Sequence, residues 1–229
     1  MLKHNNLEGN KKMRIIKSLM LVISILIVAA CSNEPQVSRT HGVYMLLDTS
    51  GTYTKELKQA QRVISYSLLK MKPGDSFAVA RVDTGSFSEK DIIAKVTFED
   101  RPSRMNQQKR VFLEKIDKFV KSVKGSAYTD ITGGILQASE FLNERNPGKK
   151  TVLIFSDLKE ELRKGYKRDI DFQLQKYRVI ALNVTKLRSD NIDPKEYLDR
   201  LEQWRLRVES GGGEWKVIND LERLEVLFD

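Results

Sequence analysis

Residues 44–52 read YMLLDTSGT, so an apolar and aromatic run is followed by an acid and by hydroxyls at the alternate positions 50 and 52. Such a run is typical of a parallel strand that is covered on both faces of a sheet. Ser50 and Thr52 alternate along the chain with Gly51 between them, an arrangement that can direct both hydroxyls to one side. Either these residues cap a following helix or they belong to a ligand site, and the other strand ends of the chain bear on that choice.

Apolar runs and segments of helical periodicity alternate along the rest of the chain. The predicted strands are 43–48, 77–82, 92–98, 151–155, 179–184 and 215–218. The predicted helices are 55–71, 110–123, 131–143, one that ends at 171–177, 194–208 and 221–227. This alternation indicates an α/β fold, with a doubly wound and mostly parallel sheet and helices on both faces. The short loop between 77–82 and 92–98 predicts one antiparallel edge strand.

The N-terminal 30 residues have the pattern of a secretory signal. Four basic residues lie between positions 11 and 17 and precede the apolar run LMLVISILIVAA at 19–30. The run is shorter than the ~20 residues that span a bilayer. VAAC at 28–31 resembles a bacterial lipobox, which makes Cys31, the one cysteine of the chain, the expected lipidation site. An ordinary secretory cleavage or an uncleaved anchor remains an alternative.

The expected organisation is a lipoprotein signal peptide at 1–30, a lipidated tether at 31–41 and a single domain at 42–229. This predicts a lipid-anchored protein of the bacterial cell envelope that faces the periplasm or the exterior. Ser32 follows the cysteine in place of an acid, which favours the outer membrane where a cell has two. Translation from Met13 instead of Met1 would give a signal with a more usual front.

Composition indicates a globular domain without strong affinity for nucleic acid. Hydrophobic residues make up 40% and charged residues 31% of the 229, which excludes a disordered chain. The formal net charge is +9, and it falls to +5 without residues 1–30. That excess is too small to predict a nucleic-acid partner, and contact with anionic lipid head groups is the simpler expectation.

Oxygen-bearing side chains follow three predicted strands or precede a helix. Asp48, Ser50 and Thr52 follow the first strand, Thr129 precedes the helix at 131–143, and Asp157 follows the strand TVLIF. The carboxyl ends of parallel strands are where α/β sheets bind ligands. Two carboxylates and three hydroxyls, without His or Cys, suit a hard divalent cation such as Mg²⁺.

These residues resemble the metal-ion-dependent adhesion site of von Willebrand factor type A domains. The family pattern is Asp-x-Ser-x-Ser, then a threonine, then an aspartate after a later buried strand. Asp48, Ser50 and Thr52 match the first element, with Thr for the final Ser, while Thr129 and Asp157 match the other two. The resemblance covers about 43–229. It departs from the family where Leu158 stands at a position that often holds Gly.

The resemblance implies a module that binds proteins through a metal. In the family, the hydroxyls equivalent to Ser50 and Thr52 usually bind the ion directly, Thr129 binds directly or through water, and the aspartates often act through water. A carboxylate of a protein partner fills the open position. The expected ion is Mg²⁺, or else Mn²⁺ or Ca²⁺, and we expect no small-molecule substrate.

Other interpretations of the same residues remain open. Ser50 or Thr52 could cap the helix at 55–71, and Thr129 with Asp130 could cap the next. A metal-independent assembly module would keep the fold without the ion. Haloacid-dehalogenase-like phosphatases also place Asp after their first strand, in Asp-x-Asp-x-Thr, but Ser50 cannot act as the acid of that pattern. His4 and His41 lie outside the predicted domain, so we expect no enzyme.

Overall fold

The computed structural model describes residues 38–51, 53–83, 89–187 and 189–228, which belong to one compact unit, Ser38–Asp229. The predicted signal peptide, the predicted lipidation site Cys31 and residues 32–37 of the predicted tether lie outside this description. The described strands are β1 His41–Leu47, β2 Ser76–Arg81, β3 Ile92–Thr97, β4 Lys149–Phe155, β5 Tyr177–Leu182 and β6 Glu214–Ile218. The described α-helices are α1 Leu57–Lys70, α2 Pro102–Ser122, α3 Ile131–Arg145 and α4 Pro194–Ser210. None of these helices is long and apolar enough to cross a membrane.

The strands form one sheet in the order β3-β2-β1-β4-β5-β6. β3 pairs antiparallel with β2, and every other pair of neighbours is parallel. This confirms the predicted mostly parallel sheet with an antiparallel edge strand. The strand order reverses between β1 and β4, so the loops that leave these two strands diverge to opposite sides.

Alternate residues of the central strand contact helices on opposite faces of the sheet. Val43, Met45 and Leu47 pack in one core with residues of α1 and α2. Tyr44 and Leu46 pack in the other core with residues of α3 and α4. Because both faces are covered, β1 carries the uninterrupted apolar run that the sequence shows, and the doubly wound arrangement is confirmed.

The segment between β4 and β5 contains no helix, so the helix predicted to end at 171–177 is wrong. Gly165, in a turn of this segment, has a left-handed φ of +92°. Arg168 instead donates to Asp130 at 2.7 Å, and Thr132 donates its backbone N–H to Glu160 at 2.7 Å. These side-chain hydrogen bonds hold the segment against the start of α3. A helix between β4 and β5 would have needed a longer apolar face to pack on the sheet.

Two other predicted helices have different bounds. α2 begins at Pro102, eight residues before the predicted start, because Pro is favourable in the first turn of a helix. The predicted C-terminal helix is a single 3₁₀ turn at Leu224–Leu227. Neither change alters the layers of the fold.

Candidate functional site

The site lies at the carboxyl ends of β1 and β4, where the strand order reverses. Leu47 and Phe155 are paired in register, and the backbone N–H of Asp48 donates to the Phe155 carbonyl at 3.0 Å. This pairing continues the strands by one residue and brings Asp48 beside Ser156 and Asp157. The neighbourhood of the two acids is therefore a consequence of sheet topology.

Asp48 is buried at the centre of the site. The residue is 1% exposed. Oδ1 accepts the backbone N–H of Ser50 at 2.8 Å, and Oδ2 accepts the Ser156 hydroxyl at 2.6 Å. The Thr129 hydroxyl lies 3.5 Å from Oδ1, at the long limit of a hydrogen bond. Residues of three separated segments thus meet around one carboxylate.

Backbone contacts hold the segment that carries Thr129. Thr129 and Glu161 exchange two N–H···O bonds of 2.9 Å, and Ser126 bonds through its backbone to Thr49 and Gly51. A Cβ at Gly125 would lie 2.8 Å from the Cα of Gly51, so this close approach requires glycine at position 125.

Asp157 forms the opposite side of the site. It is 5% exposed, and Oδ1 accepts the backbone N–H of Lys159 at 2.9 Å. Its backbone carbonyl accepts Nε of Arg200 at 2.9 Å. Asp157, Thr129 and Ser50 open onto one surface depression of about 660 Å³. The other described residues that line it are Gly51, Ser126, Lys159, Glu161, Leu187 and Ser189.

The structure therefore brings together four of the predicted site residues, Asp48, Ser50, Thr129 and Asp157. Thr52 lies outside the described residues. The capping interpretation does not account for the others, because no side chain caps the described start of α1 or the 3₁₀ turn before it. Asp130, not Thr129, caps α3 by accepting the Gly133 N–H at 2.7 Å.

Burial sets the electrostatics of the two acids. Burial raises the pKa of Asp48, against the hydrogen bond from Ser156. Burial also raises the pKa of Asp157 to about 6, and the negative charge of Asp48 contributes to that rise. Neither carboxylate forms an ion pair with a Lys or Arg of the described chain. A divalent cation would offset the cost of holding both acids ionised.

The donor set fits a hard cation only when hydroxyls are counted. In the described part of the chain, no three His, Cys, Asp or Glu side chains lie close enough together to hold a metal. The site offers two carboxylates, Asp48 and Asp157, with the hydroxyl-bearing Ser50 and Thr129 beside them. Oxygen donors of this kind, completed by water, match the preference of Mg²⁺.

The prediction of the site missed three contributors. Ser156 stands next to the predicted Asp157, and its position directly after an apolar strand was the available signal. Ser126 and Glu161 contribute through their backbones, and a backbone contact leaves no residue pattern in the sequence.

Leu158 adopts the backbone conformation that favours glycine at this position. Its φ is +65°, in the left-handed region, while its side chain is 1% exposed. Its carbonyl accepts the Trp204 indole N–H at 3.0 Å. Burial of the leucine side chain therefore offsets the energetic cost of the left-handed backbone, and the chain turns here without glycine.

Comparisons with known proteins agree with this architecture. No protein-family model and no curated protein matches the sequence. Among solved structures, a von Willebrand factor type A protein from Catenulispora acidiphila aligns over 83% of this chain with a TM-score of 0.52 and 14% identity. The pilus adhesin SpaC from Lactobacillus rhamnosus GG, in its open conformation, aligns over 84% with a TM-score of 0.52 and 12% identity.

The chain thus has a von Willebrand factor type A-like fold. It spans 41% of the Catenulispora acidiphila chain and 29% of the SpaC chain. At these identities the likeness concerns the fold.

Proposed function

We propose that this chain is a metal-dependent protein-binding module. The observation that carries the proposal is that Thr129 lies 3.5 Å from the buried Asp48 and lines, together with Asp157, one open depression. Structural acids are normally paired when buried, whereas these two carboxylates are buried without a Lys or Arg partner in the described chain. A cation from solution fits that arrangement.

Five side chains would hold the cation: Asp48, Ser50, Thr52, Thr129 and Asp157. Two acids balance the charge of a divalent ion and the neutral hydroxyls add none, so the ion, when bound, stays electrophilic and can take a further oxygen ligand. We infer that this ligand is an Asp or Glu side chain of a protein partner. The depression is open enough to admit one, and a pilus adhesin with the same fold is consistent with a binding role.

We further propose that the module acts in the bacterial cell envelope. The signal-like residues 1–30 and the lipobox-like sequence before Cys31 support a lipid anchor, with 31–41 as the tether. Such an anchor keeps the domain at a membrane while the site stays accessible to a partner, and we favour the outer membrane where two are present.

The described site favours binding over catalysis. His41, the one histidine of the described chain, is the first residue of β1, whereas Asp48 follows the other end of that strand. Burial lowers the pKa of His41 to about 4. The phosphatase alternative requires an acid at position 50, where Ser50 offers a hydroxyl, so we propose no enzymatic activity.

Metal binding is tested with residues 38–229, which contain every described strand and helix. At 100 times its dissociation constant, Mg²⁺ or Mn²⁺ stabilises a protein by about 2.7 kcal/mol. For a domain of this size, that corresponds to a rise in melting temperature of about 5–10 °C. We expect Asp48→Ala and Asp157→Ala to abolish the rise. Asp117→Ala, which removes an exposed acid of α2, should retain it.

Partner binding is tested by capture from envelope extracts on the immobilised domain, with Mg²⁺ or with chelator. A partner retained with Mg²⁺ and lost both with chelator and in Asp48→Ala supports the proposal. Equal capture in all conditions contradicts it and favours a metal-independent assembly module. Hydrolysis of p-nitrophenyl phosphate that disappears in Asp48→Asn would instead identify a phosphatase.

A further inference from the structure

One broad face of the domain carries a large excess of positive charge. This face, here called the α1–α2 face, comprises residues 54–72 and 101–124, whose buried side chains share one core. The two segments contain thirteen Lys and Arg but three acids, Glu56, Glu114 and Asp117. The excess of ten in these two segments exceeds the net charge of the entire chain, +9.

Most of these cations have no acidic partner. Arg110 and Lys121 pair within α2 with Glu114 and Asp117. The other eleven form no ion pair with an acid in the described ranges. Ten of the eleven are exposed, and they are Lys55, Lys58, Arg62, Lys70, Lys72, Arg101, Arg104, Lys115, Lys118 and Lys124. The positive charge is therefore available to a partner.

The opposite face has no such excess. α3 and α4 together contain five Lys and Arg and six acids. On α4 the charges are largely matched within the helix, as in the pairs of Arg205 with Glu202 and Glu209. The asymmetry therefore distinguishes one side of the sheet from the other and is not a general property of the surface.

Exposed apolar side chains accompany the cations. Leu69, on α1, is 77% exposed and stands next to Lys70 in the chain. Val111 and Leu113, on α2, are 42% and 38% exposed. A basic surface with a few projecting apolar side chains is the pattern of proteins that bind the surface of an anionic bilayer.

We propose that the α1–α2 face binds an anionic lipid bilayer. The cations contact lipid phosphates, and Leu69 enters the head-group region. The acids Asp220, Glu222 and Glu225 follow β6 and border this face, since Phe228 beyond them contacts Tyr66 of α1. These three acids do not cancel the excess of ten positive charges on the face. A bilayer on this broad face leaves the depression at the strand ends accessible, so the two contacts are compatible.

The test measures sedimentation of residues 38–229 with vesicles, in chelator, so that its outcome is independent of the metal site. We expect binding to vesicles of 30% phosphatidylglycerol in phosphatidylcholine, no binding to pure phosphatidylcholine, and loss of binding at high salt. Lys58→Glu/Arg62→Glu/Lys118→Glu should reduce affinity at least tenfold, since each cation near the surface contributes appreciably.

A matched variant separates the face from net charge. Lys164→Glu/Lys167→Glu/Lys195→Glu makes the same change of charge at exposed positions outside the α1–α2 face, and we expect it to lower affinity by about threefold or less. Likewise, Leu69→Gln should weaken binding, while Leu198→Gln, at a side chain 61% exposed on α4, should not. A melting curve for each variant confirms folding.

Several outcomes would overturn the proposal. Equal losses in the two triple variants would show that net charge alone drives binding. Absence of binding to anionic vesicles at low salt would remove the bilayer as the partner. Tighter binding to a DNA duplex than to vesicles at the same salt would assign the face to a different polyanion.

Discussion

Four buried aspartates near the carboxyl edge of the sheet fall into two pairs with different environments. Asp130 and Asp190 each receive a guanidinium, from Arg168 at 2.7 Å and from Arg200 at 2.8 Å. The hydrogen bond from Arg200 lowers the pKa of Asp190. Asp48 and Asp157 receive hydroxyl and backbone donors but no described guanidinium, and burial raises the pKa of both.

The difference separates two kinds of buried acid within one loop region. Arg168 and Arg200 neutralise acids whose role is to hold loops and helices together. Asp48 and Asp157 form no ion pair with a described Lys or Arg, and because burial raises the pKa of both, holding them ionised costs stability. This is the expected condition of a site that is completed by a cation from solution.

The largest expected effect comes from removing the guanidinium that pairs with Asp190, which leaves this acid without an ion pair, as Asp48 and Asp157 are in the described chain. Arg200→Met leaves Asp190 buried without its cation, and we expect a loss of about 3 kcal/mol in the free energy of unfolding at pH 7.5. Urea denaturation measures this loss. Asp190→Asn in the same background should recover part of it, and an unchanged stability in Arg200→Met would show that the pair is not structural.

A smaller effect of opposite sign is expected at the site. Asp157 has a pKa of about 6 in the fold against an ordinary 3.8, so metal-free stability falls as pH rises through this interval. Two pKa units correspond to about 3 kcal/mol. Asp157→Asn keeps the acceptor for the Lys159 N–H and should be more stable than wild type by about 2 kcal/mol at pH 7.5 in chelator.

Denaturation of both proteins between pH 4 and pH 8 measures that difference. We expect it to shrink to a small fraction of its value at pH 7.5 as the pH falls to 4, because the wild-type acid is then protonated in the fold and close to half protonated in the unfolded chain. A difference that does not vary with pH would show that the carboxylate charge is not its source, and excess Mg²⁺ should reverse the order of the two stabilities.

The smallest effect is the difference in stability between two variants at Leu158, the residue that directly follows Asp157. Leu158→Ala and Leu158→Gly both lose the buried side chain, and each should destabilise the domain by about 2–4 kcal/mol. Gly accepts the φ of +65° without strain, so it should be more stable than Ala by about 1 kcal/mol. The reverse order would show that the left-handed backbone carries no cost here.

Much of the fold was predictable because its signals are local. Apolar runs identified all six described strands, and the short loop after β2 indicated the antiparallel edge strand. The helix predicted to end at 171–177 is wrong because a few apolar residues at helical spacing also occur in a loop. There, the contacts of Arg168 and Glu160 with the start of α3 are made between distant residues and leave no periodic pattern.

The sequence by itself determined the class of fold and the chemical nature of the candidate site, since periodicity and the types of oxygen donor are properties of short segments. Only the tertiary structure decided that Ser156 bonds to Asp48, that Arg200 contacts the Asp157 backbone, and that the basic helices α1 and α2 pack in one core on the same side of the sheet. These facts depend on strand order and helix packing, which bring together residues that are more than a hundred positions apart or on separate elements.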